Sequence, residues 1–93
     1  MIVEILGHTY KIEEVDGRGE DWWGRINNTH KLIQLDKDLA DSCKHETLFH
    51  EIIEGVNWWG DLNLEHHKLS LFSTLLFSVL KGNPKVRGVI FDE

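Results

Sequence analysis

The chain is poor in several features that would point early to a function. It has one cysteine, Cys43, in 93 residues. That excludes an internal disulfide and any zinc site built from cysteine alone. It has no lysine-arginine cluster beyond Lys81, Lys85 and Arg87, which are spread around a turn. With a net charge of −6 it offers no basic face to a phosphate backbone, so nucleic acid is not expected as a partner. Long apolar runs are missing too: "LSLFSTLLFSVL" (69–80) is interrupted by serines and is too short to span a bilayer. The opening "MIVEILGHTY" has a glutamate within its apolar run and no basic n-region, unlike a signal peptide. These absences predict a soluble, cytoplasmic protein of a reducing compartment, with no membrane partner. The 41% hydrophobic and 28% charged content is globular, enough for one small core. Residues 1–93 therefore read as a single domain.

The N-terminal third reads as β. "IVEIL" (2–6) alternates, "TYKIEEV" (9–15) is strand-like, and Gly7-His8 between them suits a tight reversal. "DGRGEDWWG" (16–24), with three glycines and four charges, reads as a loop. "KLIQLD" (31–36) follows as a short strand with Ile33 and Leu35 on one side. From Asp41 or Ser42 as N-cap, a helix is predicted to stop at Gly60. Leu48, Phe49, Ile52, Ile53, Val56 and Trp59 form its core-facing stripe. A second helix is expected from Asn63 to Lys81, and "KVRGVIF" (85–91) reads as an edge strand. The fold class is α+β: a small three- to four-stranded sheet followed by two packed helices.

Within the first helix "TLFHEIIEGVNWWG" (47–60) contains H-E-x-x-E. Residues four apart on a helix have Cβ atoms about 5–6 Å from each other, so His50 and Glu54 can grip one ion. At 100° per residue both lie on the flank of the apolar stripe, where a cleft residue belongs. Glu51 lies on the adjoining edge, placed to touch an attacking water without ligating the metal. A zinc site needs a third ligand. "LEHHK" (64–68) supplies candidates at the first turn of the next helix, which a short loop returns beside the first. Glu65, His66 and His67 all compete for the role. Two imidazoles and one carboxylate suit Zn²⁺, while iron and nickel fit the same donors.

"ETLFHEIIEGVNW" (46–58) followed by "LNLEHHKLSLFSTLLFSVLKGNP" (62–84) resembles a group of small bacteriophage and prophage proteins, themselves like minimal zinc metallopeptidases of the zincin type. The resemblance covers about residues 24 to 84 and takes in "GRI…KLIQLD" as a strand pair ahead of the helix. It implies His50, Glu54 and His66 as metal ligands, with Glu51 as general base. It thereby favours His66 over Glu65 and His67. Gly55 stands where that group usually has alanine, and "LFSVLKGNP" lacks its tyrosine. The implied activity is hydrolysis of a peptide or protein, with residues 31–36 as an edge strand that aligns an extended chain. His67, Tyr10 and His8 are the candidates for oxyanion donor. The alternative is a metal-stabilised binding or regulatory module that does not turn over. Outside this constellation, His45 lacks a ligand four residues on, and His8 and His30 are isolated. Trp58 and Trp59 read as core and cap. One of Trp22 and Trp23 is expected on the core and the other at a cleft rim.

Overall fold

The computed structural model describes residues 1–17 and 22–92. Four strands come first: β1 (Ile2–Ile5), β2 (His8–Val15), β3 (Gly24–Asn27) and β4 (Leu32–Asp36). Helices α1 (Asp41–Gly60), α2 (His66–Gly82) and α3 (Pro84–Phe91) follow. β1 and β2 form a hairpin through Leu6 and Gly7, both at positive φ, as a two-residue reversal between twisted strands requires. The sheet order is β1-β2-β4-β3, with β2 and β4 parallel and the other pairs antiparallel.

The period-two pattern decides which side of the sheet is covered. Tyr10 and Ile12 from β2, Ile33 and Leu35 from β4, and Ile5 from β1 are buried together. Leu48, Ile52, Val56 and Trp59 of α1 pack onto them, so four of the six predicted stripe residues meet the sheet, while Phe49 meets Phe77 of α2. Gly55 sits inside that contact: a Cβ there would come within 2.8 Å of Ile5 Cδ1. This close approach favours glycine at position 55.

Several expectations change. The segment 85–91 is helical, not an edge strand. Its β-branched residues suggested β, but Pro84 takes the first helical position, where its missing N–H costs nothing. β4 is an interior strand, paired on both sides, so residues 31–36 cannot align a peptide. The free edge beside the helices is β3. Part of the segment read as a loop, at 18–21, lies outside the described residues, and its end, Gly24, begins β3. Helix α1 starts one residue early, after Ala40, which makes no side-chain cap. It ends on Asp61, a non-glycine residue in the left-handed region, rather than on Gly60. Among the described residues, no helix is long and apolar enough to cross a membrane.

Candidate metal centre

The loop from α1 to α2 is five residues long (61–65) and is tied down by α1 itself. The Asn57 side chain donates to Leu64 O at 3.2 Å and accepts from Leu64 N–H at 3.0 Å. Asn57 lies one turn beyond Glu54, and Leu64 lies two residues before His66. This paired hydrogen bond therefore fixes where α2 begins relative to the α1 carboxylate. Asp61 and Asn63, both at positive φ, make the reversal between them. Sequence reading missed Asn57. The signal was an amide one helical turn beyond the motif and just before a short loop.

Of the three competing residues, His66 joins the cluster. Glu65 is the N-cap of α2, its carboxylate accepting from Lys68 N–H at 2.8 Å, and is committed to that role. His67 is exposed on the first turn and does not line the cleft.

His50, Glu54 and His66 each present one ligand atom, and these atoms lie within 4.8 Å of one another. Glu54 Oε1 is the shared point, 3.7 Å from His50 Nε2 and 3.3 Å from His66 Nδ1. A tetrahedral zinc with bonds of about 2.05 Å has ligand–ligand edges of about 3.4 Å, so two edges of such a site are already near their required length. The donor set, two imidazoles and one carboxylate, fits a divalent cation of borderline softness. The three residues thus stand close enough to hold a metal ion.

The cluster opens into a cavity of about 540 Å³ between the β3 edge and α2, with α1 as its floor. Trp23, Gly24, Arg25 and Ile26 form one wall, and His66, Ser73 and Thr74 line the other. Trp23 is 64% exposed and rims this cleft, as expected of one member of the pair. The guanidinium of Arg25 sits over the Trp22 ring at 4.6 Å, and its Nε donates to Gln34 Oε1 at 2.6 Å. Among the described residues Arg25 is thus held as the one lysine or arginine of the cleft, in a lining that also holds Glu46, Glu51 and Glu54. Gly24 lets β3 approach α1, since a Cβ there would meet Thr47 Cγ2 at 2.5 Å.

Glu51 is buried more deeply than its position on the helix edge suggested, at 5% exposure. Burial, and secondarily the neighbouring Glu54 charge, push its pKa up to about 7. A carboxyl poised near neutrality in a cleft can both accept and return a proton at physiological pH. The predicted oxyanion donors are elsewhere. Tyr10 is fully buried, its hydroxyl accepting from Trp59 Nε1 and donating to Asn28 Oδ1, both at 2.6 Å. His8 stacks on Trp59 with ring centroids 3.6 Å apart. Neither lines the cleft. His30 and His45 are exposed and stand outside the cluster, and Cys43 is a free thiol on the cleft wall. Comparison of the chain with protein-family models, curated proteins and solved structures found no match.

Proposed function

We propose that the chain is a zinc-dependent hydrolase of zincin-like design, acting on a peptide or protein. The observation that carries the reading is the placement of Glu51. It is a buried carboxyl with a pKa near 7, in the same cleft as His50, Glu54 and His66 but outside the set of three that can ligate. A bound ion would supply Lewis acidity and lower the pKa of a coordinated water. Glu51 takes a proton from the attacking water and delivers it to the leaving amine, a task open to a carboxyl that lines the cleft without ligating. His66, with its side chain 80% exposed, leaves the site open to a macromolecular substrate. The free edge of β3, at the cleft wall, replaces residues 31–36 as the strand that aligns an extended chain.

Glu51→Gln separates metal binding from turnover. The variant is expected to bind zinc as the wild type does and to lose hydrolysis of quenched fluorescent peptide libraries. Equal activity in the two proteins would overturn the reading. A second reading, a metal-stabilised binding module, is favoured by the small core: only six hydrophobic residues are buried among those described. It predicts zinc binding and a zinc-dependent rise in melting temperature, with no activity for Glu51→Gln to remove.

A further inference from the structure

The cleft is longer than the metal cluster that opens into it. Its floor on α1 runs from Cys43 to Glu54, about 16 Å at 1.5 Å per residue. His50, Glu51 and Glu54 occupy one half of that length. Close contacts place the walls of each half: a Cβ on Gly24 would meet Thr47, and one on Gly55 would meet Ile26. Strand β3 therefore runs in the same direction as α1, with its start over the far half. Helix α2 runs the opposite way, since His66 meets Glu54 while Phe77 meets Phe49. The far half is thus bounded by Trp23 from the strand side, Cys43, Glu46 and Thr47 from α1, and Ser73 and Thr74 from α2.

Hydroxyl and carboxylate oxygens dominate this far half. Glu46 is exposed and has no ion-pair partner among the described residues. Ser73 is 1% exposed, at a position between helices that usually holds an apolar side chain. Its hydroxyl has no hydrogen-bond partner among the described residues. None of their fully enclosed side-chain nitrogens or oxygens is left unpaired, so this hydroxyl meets the cleft. Trp23 adds an aromatic face at the rim. Arg25 carries its charge away from this end. Its guanidinium lies over Trp22 and donates to Gln34, which alternates with the core residues Ile33 and Leu35 and so faces away from α1.

We infer that the far half of the cleft is a subsite for a basic side chain, lysine or arginine, of an extended peptide. A carboxylate, hydroxyl oxygens and an aromatic face are the groups that receive an ammonium or guanidinium. An acidic side chain would be set against Glu46. An apolar one would cover the Ser73 hydroxyl without satisfying it. Glu46 lies one turn before His50, about 6 Å along the axis, a distance that two residues of extended chain cover. The basic residue therefore sits within about two positions of the bond held at the metal cluster. Its cleavage rests on the hydrolase reading above, whereas its recognition needs only the cleft.

The test is peptide binding, kept apart from turnover by using Glu51→Gln in the presence of zinc. Blocked alanine pentapeptides with lysine, arginine, norleucine or glutamate at the centre are titrated while tryptophan fluorescence is followed. The lysine and arginine peptides should bind about tenfold more tightly than the norleucine peptide, and the glutamate peptide most weakly. Adding Glu46→Gln should remove most of that preference with zinc affinity unchanged, and Glu46→Lys should turn it towards glutamate. Glu46 is exposed, so both variants are expected to keep the wild-type far-UV circular dichroism. Equal affinity for the lysine and norleucine peptides would overturn the subsite, as would a lysine preference that survives both substitutions. Failure of all four peptides to bind at millimolar concentration would overturn it as well. Failure of the hydrolase reading looks different: the lysine preference and its loss in Glu46→Gln are seen, yet the wild type cleaves none of the peptides, and the subsite stands.

Discussion

Helix α1 carries two polar clusters, and they are built on opposite principles. Near its end, Trp59 donates to Tyr10 and Tyr10 donates to Asn28, so donor meets acceptor at each step and the fold closes the network itself. One to two turns earlier, two imidazoles gather around Glu54, and a second carboxylate, Glu51, is buried beside them. The first cluster is complete without any guest. The second concentrates negative charge and lone pairs at one point, an arrangement that a divalent cation stabilises and that costs the metal-free protein stability. The lesson is that a polar cluster serving the fold tends to balance its donors and acceptors, whereas one serving a ligand leaves the balance to the ligand.

The sharpest way to break the contrast is at Glu54, which touches both histidines. Glu54→Ala should weaken zinc binding by more than about 100-fold, read by competition with a chromophoric chelator, since even supporting residues of metal sites are worth 10–100-fold. Folding should survive, because Glu54 is only half-buried. The next largest effect concerns Glu51 in the metal-free protein. The folded chain holds its proton up to about pH 7, whereas an unfolded chain releases it near 4.5. The unfolded state therefore binds fewer protons between those values, and stability falls as pH rises through that window, then levels off above it. The full loss is on the order of 3 kcal/mol. Denaturant unfolding of metal-free protein at pH 4.5, 6 and 8 checks the sign. Glu51→Gln should flatten the profile and be more stable than the wild type at pH 8.

Tyr10→Phe attacks the closed cluster instead. It removes a hydroxyl that serves Asn28 and Trp59, and should cost about 1–3 kcal/mol of global stability with zinc affinity unchanged. Asn57→Ala stands between the two regions, since it frees Leu64 and with it the start of α2. About a tenfold loss of zinc affinity is expected, with a smaller change in melting temperature, because His66 is the ligand displaced. The smallest effect is expected at Asp61, which holds a left-handed backbone that glycine adopts more readily. Asp61→Gly should raise stability by about 0.5 kcal/mol and leave the metal site untouched.

Much of the candidate site was legible because it is local. His50 and Glu54 share a face by helical spacing alone, and a five-residue loop can return only the first turn of the next helix. What spacing could not decide was which residue of "LEHHK" turns inward. That depended on Glu65 capping α2 and on Asn57 fixing the loop, both side-chain-to-backbone bonds with no periodic signature. The hairpin and both long helices followed from alternation and stripes. The interior position of β4 did not, because β2 and β4 pair in parallel across an intervening excursion that includes β3. α3 was misread because Val86, Val89 and Ile90 favour strands, while the decisive residue was Pro84 at the helix start.

The central claim is that His50, Glu54 and His66 hold one divalent ion. Equilibrium dialysis against micromolar Zn²⁺, followed by metal analysis, tests it most directly. The account predicts one zinc per chain for the wild type and for Glu51→Gln, and a large loss for Glu54→Ala. A wild type that retains no more zinc than Glu54→Ala would contradict it.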